Sequence, residues 1–193
     1  MRRSQWWLLP LAGLLALLGV SCASPQAKPS GPYQPAEEAQ RDPRRAEELS
    51  REAADLLDLD PAHAEALLRE ALTLDLYCGP AHNNLGVVFL GQGKLYEAAG
   101  EFEWARKLMP GHPDPRVNLA LTLEGAGKVD EALAAYDAAL EVYPGYLPAI
   151  IGAASLVARS GREDERLGAW CEEIALRAED GGWREWATPL IGD

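Results

Sequence analysis

The residues of this chain that could carry chemistry are three histidines, three cysteines and a pair of in-register asparagines, and spacing excludes most of them. His63, His82 and His112 are scattered, and none has a second histidine at the short interval a metal site needs. Cys22, Cys78 and Cys171 form no CxxC pair, so no zinc site is readable. No Gly-x-Ser-x-Gly elbow occurs, and Gly91-Gln92-Gly93 ends a predicted helix instead of following a strand, which excludes a phosphate-cradling loop. The sequence therefore predicts no catalytic residue, no metal and no cofactor, and the chain is not expected to be an enzyme. Asn84 and Asn118 are different: they stand 34 residues apart, and each amide can both donate to and accept from a peptide backbone without reading its sequence.

Composition bounds what could hold these residues. The chain has 193 residues, 48% of them hydrophobic and only 7% aromatic, with alanine and leucine dominant; that bias predicts an all-α fold. The formal charge is −12, and removal of residues 1–21, which contain Arg2, Arg3 and no acid, makes it more negative still. Such a surface repels phosphate backbones, so no nucleic-acid partner is expected. The acids read as solvated helix faces, or as a patch that steers a basic partner.

Met1-Arg2-Arg3, a nearly unbroken apolar run from Trp6 to Val20 and then Ser21-Cys22-Ala23-Ser24 read as a signal peptide over 1–21. The arrangement resembles the lipobox of bacterial lipoproteins, in which a cysteine after small residues is acylated and becomes the mature N-terminus. Gly19 stands where that pattern has leucine, and the leucine is Leu18. The resemblance implies lipidation at Cys22; cleavage after Ala23 and an uncleaved anchor remain alternatives. Residues 22–42 then turn to Pro, Ala, Ser, Gly and charge, with prolines at 25, 29, 32 and 35, and predict a semi-extended tether.

From residue 43 the spacing is helical. Asp42-Pro43, Asp60-Pro61 and Asp114-Pro115 each predict an N-cap followed by proline in the first turn. Ala46, Leu49, Ala53, Leu56 and Leu57, then Ala64, Leu67, Leu68, Ala71 and Leu72, predict a helix pair. Gly93-Lys94, Gly127-Lys128 and Gly161-Arg162, at intervals of 34, predict left-handed turns inside later pairs. In 79–112, His82, Leu85-Gly86, Phe89, Ala98, Phe102, Ala105 and Pro110 fall in an order that 113–146 repeats with Leu119-Ala120, Leu123, Ala132, Tyr136, Ala139 and Pro144.

This pattern resembles the tetratricopeptide repeat, with His82 in place of the usual tryptophan. The copies at 45–78 and 147–180 are weaker: Arg51-Glu52 stand where Leu-Gly belongs, Arg166 takes a small-residue place, and Ala153-Ala154, Val157 and Trp170 keep theirs. The expectation is a right-handed α-solenoid of about four helix pairs over 43–180, with terminal pairs facing solvent or a cap. Residues 181–193 predict a short capping helix with Trp183, Trp186 and Leu190 on one face, or a tryptophan-based partner site. Cys78 and Cys171 are then almost three repeats apart, too far for a disulfide, and are expected as free thiols.

The resemblance also implies where binding occurs, since in such proteins the first helix of each pair lines a concave groove. Carried over, the groove places are Asn83, Asn84, Val87 and Leu90; Val117, Asn118, Leu121 and Glu124; and Ile151, Ser155 and Arg159. Ser50 and Gly152 shorten the asparagine ladder to two rungs, and these amides could instead satisfy local backbone groups. The lysines of the carboxylate clamp of some chaperone adaptors are absent. The expected function is a membrane-anchored adaptor or scaffold on the periplasmic face of the inner or outer membrane of a bacterial envelope. Its partner is an extended peptide or helix; an accessory subunit of an envelope enzyme and a structural spacer are the alternatives. Oligomeric state is left open.

Overall fold

The computed structural model describes residues 41–191. The signal peptide, Cys22 and nearly all of the tether lie outside the described residues. Within them the chain forms α1 (Pro43–Leu56), α2 (Pro61–Leu74), α3 (Gly79–Gly91), α4 (Leu95–Leu108), α5 (Asp114–Gly125), α6 (Val129–Val142), α7 (Leu147–Ser160), α8 (Leu167–Arg177) and α9 (Gly181–Ala187). A 3-10 turn at Thr188–Leu190 follows, and no strand occurs among the described residues. No helix among them is long and apolar enough to cross a membrane.

Short connections force consecutive helices into antiparallel neighbours, and glycine sets three of the turns. Gly93, Gly127 and Gly161 all adopt left-handed backbone, with φ of 71°, 73° and 65°. The following amides of Lys94, Lys128 and Arg162 bond back to the carbonyls of Phe89, Leu123 and Val157 at 2.9, 2.9 and 3.2 Å. That is the same six-to-one helix stop three times over. Asp42 and Asp60 cap their helices as expected, accepting from the amides of Arg45 and His63 at 3.0 and 3.1 Å. Asp114 does not. Pro113 is already helical (φ −76°, ψ −29°), so Asp114 falls inside the first turn of α5 and its carboxylate accepts from the Tyr146 hydroxyl instead.

The packing residues divide into two clusters. One joins α1 to α4 through Leu49, Leu68, Leu72, Leu85 and Phe102, and the other joins α5 to α9 through Tyr136, Ile150, Val157, Trp170 and Ile174. Leu123 packs against both. Two glycines are demanded by close approach. A Cβ on Gly86 would lie 2.6 Å from the Phe102 ring, and one on Gly152 would lie 2.3 Å from the Tyr136 ring.

The first pair corrects the single 34-residue register. Arg51 and Glu52 are exposed, whereas Ala46, Leu49, Ser50 and Ala53 are buried. Leu49-Ser50 is thus the counterpart of Leu85-Gly86, 36 residues earlier, while Ala64 keeps the 34-residue offset from Ala98. One of the two extra residues lengthens α1, which has 14 residues against 13 in α3, and the other lies in the α1–α2 connection, Leu57-Asp58-Leu59-Asp60, which lacks the glycine that tightens the later turns.

At the other end Arg166 is tolerated in a small-residue place because its guanidinium turns outward. It lies 4.4 Å from the Trp170 ring centroid and pairs with Asp137 and Asp164, each at 2.7 Å. The cap forms, but on a different face from the one expected. Ala187 is fully buried and Trp186 and Ile191 pack on the core, whereas Trp183 and Leu190 are exposed. The helix has only seven residues and Pro189 turns its end into 3-10 geometry, so the angular step changes before Leu190.

Candidate functional site

The first helices of the four pairs lie side by side in the order α1, α3, α5, α7, and polar side chains bridge each step. Asn84 Nδ2 donates to the Ser50 carbonyl and hydroxyl at 3.2 and 3.4 Å, joining α3 to α1. Asn118 Nδ2 donates to Asn83 Oδ1 at 3.0 Å, joining α5 to α3, and Asn83 Nδ2 reaches Asn84 Oδ1 at 3.4 Å. The three amides and Ser50 form one chain of donors running toward α1. Asn84 and Asn118 therefore are not two equivalent free rungs, because one N–H of each is committed between helices.

The step from α5 to α7 is ionic. Glu124 accepts from the Tyr136 hydroxyl with one oxygen and from Arg159 Nη2 with the other, both at 2.5 Å. Arg159 Nε also donates to the Ser155 carbonyl at 3.2 Å. Glu124 is mostly covered while Arg159 stands 64% exposed, so the carboxylate serves as the fixed support and the guanidinium as the presented group. Burial, followed by the bond to Glu124 and its negative charge, raises the Tyr136 phenol far above its ordinary range.

Among the apolar groove places, Leu121 is 43% exposed, and Val87, Leu90 and Ile151 are half-buried. Val117 does not line the groove. It is buried and belongs to the α5–α9 cluster, because α5 turns that side toward α6 and α7. Ser155 spends its hydroxyl on the Gly152 carbonyl at 3.0 Å. Spacing holds the missed signal, since Asn83 with Asn118 and Glu124 with Arg159 are each 35 residues apart, one more than the repeat.

Elsewhere His82 fills its packing place completely buried, with Nδ1 2.6 Å from Glu101 Oε2 and Nε2 2.8 Å from the Leu76 carbonyl. Its ring stacks on Trp104 at 5.5 Å and 12°. Cys78 and Cys171 are buried free thiols, and burial pushes both upward from the ordinary thiol range. No group of three or more His, Cys, Asp or Glu side chains among the described residues is placed to hold a metal.

An all-helical stack of pairs with repeated glycine stops and a shared first-helix face defines an α-solenoid repeat protein. The tetratricopeptide repeat model matches residues 83–147 and again 117–182, together just over half of the chain, and the chain belongs to that family. No curated protein matches the sequence. Among solved structures it is similar to a tetratricopeptide repeat protein of Thermus thermophilus, with a TM-score of 0.63 and 17% identity over 76% of this chain and 83% of that one. An O-GlcNAc transferase mutant from Thermobaculum terrenum gives 0.61 and 22% over 74% of this chain and 26% of that one. The first such repeat domain of Spaghetti, bound to an HSP90 peptide, gives 0.59 and 15% over 63% and 98%. At these identities the likeness is one of fold.

Proposed function

We propose that this protein is a membrane-anchored adaptor of the bacterial cell envelope that holds a protein partner along the α1-α3-α5-α7 face. The observation that carries the reading is the mixed character of that face. Leu121 stands exposed between the Asn83/Asn84/Asn118 amides and the Arg159 guanidinium, and packing consumes none of these groups fully. A partner segment gains apolar burial at Leu121, Val87 and Ile151 and directional bonds on either side. The peptide-bound Spaghetti domain, of similar fold, supports a peptide as the form of that segment. The signal sequence and Cys22 support export and a lipid anchor on the periplasmic face of the inner or outer membrane.

Photocrosslinkers placed at Val87 and Leu121 in cells test the groove. One envelope protein captured at both positions, and lost on Asn84→Ala/Asn118→Ala, is the expected result. Capture of nothing, together with groove substitutions that leave growth unchanged, would leave a structural spacer. Fractionation of Cys22→Ser tests the anchor: release from the membrane is expected, and unchanged association sinks lipidation as its cause.

A further inference from the structure

His82 occupies a place where packing alone would be met by an apolar ring, and it brings there two nitrogens that the fold must satisfy. The side chain is fully buried, so neither nitrogen reaches water. Nε2 lies 2.8 Å from the Leu76 carbonyl in the α2–α3 connection, and Nδ1 lies 2.6 Å from Glu101 Oε2 on α4. A carbonyl oxygen can only accept, so Nε2 must carry a proton to bond it. At Nδ1 the partner is again an oxygen, and without a proton between them lone pair would face lone pair. The pair therefore holds one proton more than a neutral imidazole beside an ionised carboxylate.

The surroundings favour that proton on the ring. Cys78 precedes His82 by one helical turn, and burial first, then the charges of Asp75 and Glu47, push its thiol upward. Glu47 belongs to α1 and Asp75 to the α2–α3 connection, so negative charge reaches this corner from two elements besides α4. Asp75 is offset by Arg41 at 2.7 Å, and on α2 Glu65 and Arg69 pair with each other at 2.7 Å. The charged groups of α5 are held elsewhere: Asp114 by the Tyr146 hydroxyl, Arg116 by the His112 carbonyl and Glu124 by Tyr136 and Arg159. The Trp104 indole lies nearly parallel to the imidazole at 5.5 Å, and its face attracts a cation. The first turn of α3 opposes a cation, but that effect fades within the turn, whereas the Glu101 carboxylate is in direct contact.

We propose that His82 is a buried imidazolium which, with Glu101, forms a proton-operated latch between the α2–α3 connection and α4. Loss of the proton sets a ring lone pair against an oxygen, so one of the two bonds, to Leu76 or to Glu101, must open. The folded pair keeps a proton that the unfolded chain releases above the ordinary imidazole value of about 6.5. The stability it adds is therefore complete below that pH and is lost as pH rises. The latch lies apart from the first-helix face and does not rest on the adaptor reading. The test follows denaturant unfolding of the full chain from about pH 6.5 to 8.5 beside Glu101→Gln. In that variant a neutral ring suffices, since the amide N–H donates to Nδ1 while Nε2–H stays on the Leu76 carbonyl. Per pH unit, the unfolding constant of the parent is expected to rise by up to about tenfold more than that of the variant, the effect of one proton. Nitrogen NMR of the folded protein at neutral pH should show both ring nitrogens of His82 protonated in the parent and one in Glu101→Gln. Equal pH dependence of the two proteins, or a single protonated nitrogen on His82 in the parent, would overturn the proposal. The spectrum of the parent stands alone, so the test stays decisive even if the variant fails to fold.

Discussion

The Tyr136 ring lies directly over the backbone of Gly152, closing the contact between α6 and α7, and leaves no room for a methyl group. A Cβ there would sit 2.3 Å from two ring carbons and 2.6 Å from the hydroxyl oxygen. Tyr136 cannot withdraw, because it is fully buried and its hydroxyl is held by Glu124. Two effects of Gly152→Ala oppose each other. Helix propensity favours alanine by about 1 kcal/mol, while overpacking costs about 1–3 kcal/mol. With backbone on one side and a fixed ring on the other, the steric cost wins, and Gly152→Ala should lower stability in denaturant unfolding followed by circular dichroism. A stabilised variant would show that α7 is free to move away from the ring.

Phe102 plays the corresponding part against Gly86, but within one pair. It is fully buried, and the glycine allows α3 to lie on the ring itself. Phe102→Ala leaves a void that neither helix can fill from its own side, since Ala98 and Ala105 flank the site. A loss of about 3–5 kcal/mol is expected in the same unfolding measurement. A loss below about 1 kcal/mol would mean that the pair collapses around the missing ring.

The solenoid was readable because its determinants recur at a fixed interval. The glycine turns, the Ala98/Ala132 and Ala105/Ala139 places, and the Phe102/Tyr136 rings are packing requirements that each repeat must meet again. The first pair was misregistered because one residue added in α1 and one in the α1–α2 connection shift α1 without disturbing α2, and a single period has no means of representing that. The bridging residues were found as places but not as partners. Asn83 bonds Asn118 and Glu124 bonds Arg159 across 35 residues, a relation visible only once adjacent first helices lie side by side.

The amide chain makes a quantitative prediction about neighbouring helices. If the bond from Asn118 to Asn83 links α5 to α3, Asn83→Ala and Asn118→Ala should be non-additive. A double-mutant cycle should return a coupling of about 0.5–1 kcal/mol, typical of one neutral hydrogen bond. Asn118→Ala paired with Phe102→Ala serves as the comparison. Additivity within error for Asn83 and Asn118 would show that the two amides bond to water instead of to each other.

Alkali should act through the tyrosines. Burial first, then the bond to Asp114 and its charge, pushes the Tyr146 phenol up from 10.0 to about 12, and Tyr136 is raised further for the same kinds of reason. In the unfolded chain both revert to about 10. The folded state therefore binds more protons between the two values, and the resulting stability is complete below pH 10 and lost as pH rises through about 12. Tyr146→Phe removes this contribution along with the bond to Asp114. The variant should thus be less stable than the parent at pH 8, and the gap should narrow steadily from pH 10 to 12. The two proteins differ by this one hydroxyl, so the comparison isolates Tyr146. Absorbance at the phenolate band gives the second reading: the difference between the parent and Tyr146→Phe should appear near pH 12. A stability gap that stays constant across that window would show that the Tyr146 hydroxyl faces water.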